Sequence, residues 1–398
     1  MLSLSMIVRN EAERLERCLA SVAGFVDEMV VLDTGSSDAS IAIAAACGAV
    51  VHQMPWPGDF APARNAALQH VRGDWVLVLD ADEWLLAEAR EPLQELMARP
   101  DLLLINLLRR EQGAAQSPYS NVSRLFRRHP AIHWSRPYHA MVDDSVLALL
   151  EREPHWRLAD CAVPALGHDG YRSELLASGT KARRLRQAME ADLAAHPGDP
   201  YACAKLGSLE VSEGNRKRGI ALLEEGLAQC PNSSQPVRYE LLLHLAIATA
   251  GSDPARAGQL YRQALALPLP PRLNLAARLN LAGLLQEAGD LEEACGLCQQ
   301  ATEAAPELAQ AWLQLGLLER RRGRIEAAIG AYRTALERDP NLASAHQNLA
   351  VALLLGGDLS GARSGFSKAI ELLEQQNRPH EAAALRRQAG AMVKLDGA

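Results

Sequence analysis

Three acids close the apolar run WVLVLDADEW, Trp75 to Trp84: Asp80, Asp82 and Glu83. Valine and leucine leave water readily, whereas carboxylates do so only when something pairs with them. Hard oxygen ligands of this kind suit Mg2+ or Mn2+, ions that usually bridge one or two protein carboxylates to substrate phosphates. In a strand, residues two apart point to one side, so Asp80 and Asp82 are expected to face a common site. A D-x-D alone is a weak signal, met in many polar turns. Its position strengthens it, because two other polar clusters also follow apolar segments: Arg9-Asn10-Glu11 after LSLSMIV, and DTGSSD, Asp33 to Asp38, after MVVL.

The elements that must position these groups alternate in period. LSLSMIVRN, DEMVVLD, VVHQMP and DWVLVLDADEW read as strands; EAERLERCLASVAG, ASIAIAAACGA and PARNAALQHVRG read as helices. Strand and helix in alternation predict βαβ units and a mainly parallel sheet. Such sheets bind ligands in the crevice beyond the carboxyl ends of their strands, where all three polar clusters fall.

From about Pro197 the strands stop and a period of 34 residues sets in. Ala277, Ala311 and Ala345 share it, as do Leu281, Leu315 and Leu349, and Gly289, Gly323 and Gly357. This is the tetratricopeptide period: two helices per repeat, with small residues where they cross. About five repeats are expected, the second irregular in length, with a capping helix in RPHEAAALRRQAGAMVKL. Between the halves lies a basic stretch containing Arg172, Lys181, Arg183, Arg184 and Arg186.

Composition excludes several classes. A net charge of −7 argues against a nucleic-acid binder. The start MLSLSMIVRNEAERL has no basic segment before its short apolar run, so no signal peptide is expected, and no stretch approaches the ~18 apolar residues of a membrane span. Seven scattered cysteines suit free thiols in a cytoplasm. The C-x-x-C of Cys295 and Cys298 sits in a helical repeat pattern with no second pair nearby, which predicts a structural role.

Four segments, LSMIVRNEAERLERCLASV, MVVLDTGSSDAS, APARNAAL and GDWVLVLDADEWL, in this order and spacing, resemble a family 2 glycosyltransferase of the A-type fold. A looser match runs through VSRLFRRHPAIHWSRPYHAMV to about residue 190. More narrowly, the chain is similar to bacterial cytoplasmic members with tetratricopeptide repeats behind the catalytic domain. The resemblance implies an α/β, Rossmann-like catalytic domain over residues 1–190 and an all-α repeat solenoid over 191–398. It implies transfer of a hexosyl or N-acetylhexosaminyl group from a nucleotide sugar, with inversion, assisted by Mn2+ or Mg2+. The uridine diphosphate type of donor is expected, since Asp33 can accept a hydrogen bond from an N–H of the base. A protein or peptide acceptor held by the repeats is the expected partner, by analogy only.

Residue by residue, Asp33 matches the acid that binds the base, with Arg9, Asn10 and Glu11 lining its pocket and Arg64 facing the nucleotide. Asp80 matches the acid near ribose and metal, and Asp82 the metal ligand proper. Ser36, Ser37 and Asp38 suit a turn and helix cap. Relatives often carry His-Glu where this chain has His139-Ala140, so the general base that inversion requires is left open. Asp143 and Asp144, taken as a loop pair, are candidates for it. His139 is a candidate substrate contact and His168 a third metal ligand. Two rivals stand beside this reading. A nucleotidyltransferase would carry a glycine-rich basic signature after the first strand, where this chain has IVRNEAERL. A repeat adaptor with a degenerate transferase-like domain would explain Ala140, against the intact Asp33, Arg64, Asp80 and Asp82.

Overall fold

The computed structural model describes residues 1–114, 118–136, 140–169, 179–232 and 234–393, with side chains for all of these except 179–185. The chain divides into two compact units, Met1–Leu209 and Glu210–Ala398.

In the first unit, β1 (Leu2–Val8), β2 (Glu28–Asp33), β3 (Val50–Gln53) and β4 (Trp75–Val78) alternate with α1 (Ala12–Val22), α2 (Ser40–Ala46) and α3 (Phe60–Leu68). These strands pair parallel in the order β3-β2-β1-β4. The sheet does not stay parallel. After β5 (Glu83–Leu85) and α4 (Arg90–Met97) come β6 (Leu102–Glu111), β7 (Tyr119–Arg127), α5 (Asp143–Arg152) and β8 (Arg157–His168). Strand β7 runs antiparallel to both β4 and β6, β8 pairs parallel with β6, and β5 closes the edge antiparallel to β8. Helix α6 (Gly179–Ala195) and most of α7 (Pro200–Ser212) complete the unit.

The alternation of β1 explains the layering. Leu2, Leu4, Met6 and Val8 enter one apolar cluster with Leu15 and Leu19 of α1 and Leu77 of β4. Ser3 lies between them in sequence; its hydroxyl donates to Glu28 and accepts from the Gly73 N–H at 2.7 Å. The opposite face of the sheet buries Val30, Val76, Val78 and Phe126 against Trp134 and Val146. A core on each face of the parallel strands leaves their carboxyl ends as the place for polar chemistry.

The second unit consists of helices: α8 (Arg216–Gln229), α9 (Gln235–Thr249), α10 (Pro254–Leu265), α11 (Leu275–Ala288), α12 (Leu291–Ala304), α13 (Ala309–Arg321), α14 (Ile325–Arg338), α15 (Ala343–Leu355), α16 (Leu359–Gln375) and α17 (Pro379–Gly390). The 34-residue period has a backbone cause. Gly289, Gly323 and Gly357 have φ of 88°, 76° and 89°, the left-handed turn that ends the first helix of each pair. Ala277, Ala311 and Ala345 are fully buried, and Leu281 and Leu315 are buried, while Leu349 is half-buried at the rim of its cluster. A Cβ on Gly316 would come within 2.5 Å of the Tyr332 ring, so paired helices touch at a residue without a side chain. Cys295 and Cys298 are buried free thiols on α12, as a structural role requires.

Candidate active site

Strands β1, β2 and β4 end side by side, and the segments after β1 and β2 lock together. Asn10, at φ 56°, receives the Ser37 N–H on its side-chain oxygen at 2.7 Å and donates its own N–H to the Ser36 hydroxyl at 2.9 Å. The Ala12 N–H at the start of α1 donates to Asp38, which also accepts from the Ser40 N–H and hydroxyl. The polar run after β2 therefore caps α1 as well as leading into α2. Arg9 and Asn10 are exposed at this edge and Glu11 is half-buried.

Asp33, the last residue of β2, is 2 % exposed. Its Oδ1 accepts from the N–H groups of Gly35 and Ser36, both at 3.0 Å, which sets the turn. Its Oδ2 is buried without a hydrogen-bond donor. The turn expected of Asp33 engages one oxygen of the carboxylate and leaves the other unengaged.

The DADE segment departs from expectation. Strand β4 ends at Val78, and Asp80–Asp82 form a turn closed by the Glu83 N–H on the Asp80 carbonyl at 3.0 Å. Strand alternation therefore does not align the two aspartates, and each acid holds something different. Asp80 accepts from Arg64 Nη2 at 2.6 Å on one oxygen and from Arg124 Nη2 at 2.7 Å on the other. Burial pushes its carboxyl up, but the Arg124 and Arg64 guanidiniums outweigh burial and hold it well below the usual carboxylate range. Glu83, 1 % exposed, accepts from the Asp80 N–H at 2.9 Å and from Arg109 Nη1 at 2.6 Å. Arg109 continues to Glu111 at 2.9 Å, and Glu111 bonds His168 Nδ1 and the Ser120 hydroxyl. The other ring nitrogen of His168 lies 3.5 Å from Asp82, which also faces Arg14 at 3.6 Å. Burial pulls the His168 imidazole down, yet its bonds to Asp82 and Glu111 prevail and raise it to about 9.

For a divalent cation the donor set is the test. Asp82 and His168 fit, as an oxygen and an imidazole nitrogen facing each other, with the second ring nitrogen fixed by a carboxylate in the way ligating histidines are oriented. Both Asp80 oxygens are engaged by arginines, and among the described residues no group of three His, Cys, Asp or Glu side chains is arranged to hold a metal.

Four residues that sequence reasoning missed complete the site. The β6–β7 register slips so that Ile105 faces Leu125 but Leu107 faces Val122. The extra residue is a β-bulge. Leu125 and Val122 both pack into one core cluster, which turns Ser123 and Arg124 together to the opposite face. Arg124 meets Asp80, and the Ser123 hydroxyl donates to Asp143 at 2.7 Å. Trp134 lies under the guanidiniums of Arg64 and Arg124, at 4.7 and 5.8 Å from its ring centre. Asn65 grips the Trp134 backbone at both its N–H (2.7 Å) and its carbonyl (2.9 Å). Arg64 Nε and Nη1, Arg124 Nη1 and Trp134 Nε1 are buried donors without a hydrogen-bond partner. The segments VSRLFRR and AIHWSRP carried Ser123, Arg124 and Trp134, and APARNAAL carried Asn65, but nothing local in them announces these contacts.

Asp143 and Asp144 are not a loop pair; they form the first turn of α5. Burial raises the Asp143 carboxyl. Asp144 is exposed and bound by Ser135 and Arg136. His139 and Arg172 lie outside the described residues, as do the side chains of Lys181, Arg183 and Arg184.

Residues 3–159 match the model of glycosyl transferase family 2. The first unit carries a family 2 glycosyltransferase domain. Residues 247–309 and 316–357 match tetratricopeptide repeat models, in agreement with the helix pairs of the second unit. The chain is 50% identical over 245 residues to a TPR repeat-containing protein of Synechococcus elongatus, covering 62% of this chain and 60% of that one. It is 31% identical over 136 residues to an uncharacterized glycosyltransferase of Rickettsia bellii, covering 32% of this chain and 46% of the relative. It thus spans less than two thirds of the length of either. A crystal structure of MamA overlays 44% of this chain and 97% of its own at 22% identity, with a TM-score of 0.39. Among the described residues, no helix is long and apolar enough to cross a membrane.

Proposed function

We propose that this chain transfers a sugar from a nucleotide-sugar donor of the uridine diphosphate type to an acceptor hydroxyl or amide, with inversion at the anomeric carbon. The observation that carries the reading is Asp33: a buried carboxylate at the end of a parallel strand, one oxygen spent on its own turn and the other without a donor. A base N–H supplies that donor. Arg9, Asn10 and Glu11 border the same edge. The donor-rich surface of Arg64, Arg124 and Trp134 suits the phosphate and hydroxyl oxygens of the rest of the donor.

A divalent ion, Mn2+ or Mg2+, held by Asp82 and His168 would neutralise charge developing on the diphosphate leaving group. Asp80 then serves to fix Arg64 and Arg124 rather than to coordinate. In the displacement, the acceptor atom attacks the anomeric carbon as the bond to the diphosphate oxygen breaks, and that oxygen leaves with the electron pair. The acceptor's proton goes to a base. Between the two aspartates of α5 the reading favours Asp143: its burial raises its basicity, whereas Asp144 is committed to Arg136. The repeats supply a surface for a protein or peptide acceptor, and the seven free cysteines suit a cytoplasmic setting. Calorimetry of the chain against a panel of nucleotide sugars tests the reading, followed by incubation of the tightest binder, isotopically labelled, with a cell lysate. A labelled macromolecule is expected, and binding of none of the panel would overturn it.

A further inference from the structure

Arg136 follows Trp134 by two residues and stands at φ 70°, a backbone conformation strained for any side chain larger than glycine. An ordinary surface ion pair gives no reason to hold an arginine there. Its guanidinium joins two elements. Nη1 and Nη2 donate to the two oxygens of Asp199 at 2.7 and 3.3 Å, and Nε donates to Asp144 of α5 at 3.2 Å. Its guanidinium carbon lies 5.1 Å from the centre of the Tyr201 ring. Asp199 is the N-cap of α7, accepting from the Ala202 N–H at 2.8 Å. Asp144 also receives the Ser135 hydroxyl, and Ser135 exchanges both backbone hydrogen bonds with Met141. The Arg136 side chain is 17 % exposed, with the two acids and the ring against its guanidinium.

We propose that Arg136 is a positioning residue that ties the stretch Ile132–Arg136 to the amino end of α7 and to α5, and thereby keeps Trp134 in place beneath Arg64 and Arg124. Helix α7, which the 34-residue spacing would count as the first helix of the repeats, is then a working part of the transferase unit. The consequence for rate rests on the glycosyltransferase reading; the tie itself does not.

The test uses the full chain with Arg136→Ala, Asp199→Asn and the double variant, and two readouts. Asp199→Asn retains the helix cap while losing the charge, so the fold is kept. Hydrogen–deuterium exchange of the peptide spanning 131–136 should speed up by about tenfold in Asp199→Asn, although the substitution is distant in sequence. With a labelled nucleotide sugar, kcat should fall by about tenfold or more with donor KM within about twofold, because a misplaced group costs rate rather than donor affinity. The double variant should lose no more than Arg136→Ala, since both remove one tie. Unchanged exchange at 131–136 overturns the tie, and faster exchange with unchanged kcat overturns its positioning role. A wild-type chain that neither binds nor cleaves any nucleotide sugar defeats the transferase reading instead, and exchange alone then decides whether the tie exists.

Discussion

Replacing Asp33 by asparagine separates the two tasks of one buried carboxylate. Oδ1 takes the Gly35 and Ser36 N–H groups at 3.0 Å, and an amide oxygen in the same place keeps both bonds. Oδ2, buried without a donor, becomes an NH2 that meets the base N–H as a donor facing a donor. A hydrogen bond to a charged acceptor is worth ~1.5–3 kcal/mol, so the dissociation constant for the nucleotide sugar should rise by roughly 10- to 150-fold. The fold should not suffer, because an unpaired buried carboxylate oxygen stabilises nothing. Asp33→Ala differs in losing the turn as well. Two lost bonds cost ~1–3 kcal/mol, or a Tm lowered by roughly 2–12 °C for a unit of this size. Calorimetric titration with the nucleotide sugar and thermal unfolding followed by circular dichroism, on both variants, give the four numbers needed. An Asp33→Asn protein that binds the donor as tightly as wild type would refute the assignment and leave Asp33 a turn residue.

Three further outcomes follow from the site and the repeats. Asp82→Asn, which keeps shape and removes charge, should cost ~100-fold or more in turnover under a manganese titration, and near-normal activity would remove Asp82 from the metal site. Burial raises the Asp143 carboxyl, so the folded state keeps a proton that the unfolded state has released, and the stability from this group falls as pH climbs from ~4 through the raised folded value. Asp143→Asn should flatten that fall and raise Tm at about pH 7 while abolishing transfer; a variant as active as wild type is not missing its base. Gly323→Ala, at φ 76°, should cost ~1–2 kcal/mol and lower the melting of the helical unit while leaving donor binding unchanged.

The parallel half of the sheet was legible because its signals are local. Short apolar runs set β1, β2 and β4, each followed by a polar cluster, and Asp33 sits where that pattern puts it. The repeats were legible for the same reason, since a left-handed glycine recurs every 34 residues. The partners of the acids were not. Arg124 reaches Asp80 from an antiparallel strand, by way of a bulge that no residue pattern announces. Trp134 is fixed by Asn65 across the fold, and Arg109 and Glu111 meet Glu83 and His168 only because β6 and β8 lie next to each other. The D-x-D motif itself misled in one respect: strand alternation was assumed through Asp82, but the chain turns at Asp80, and the two acids part company. Asp143 and Asp144 looked alike in sequence, yet one is half-buried at a helix start, bonded to Ser123, and the other is spent on Arg136.

Identifying the phosphorus-containing product tests the central claim most directly. The full chain, freed of metal by a chelator, is given a labelled uridine diphosphate sugar and then manganese in steps, and the products are separated. The account predicts release of intact uridine diphosphate that rises with manganese and is lost in Asp82→Asn. Cleavage within the diphosphate to give uridine monophosphate, or no cleavage and no binding of any nucleotide sugar at any manganese concentration, would contradict it.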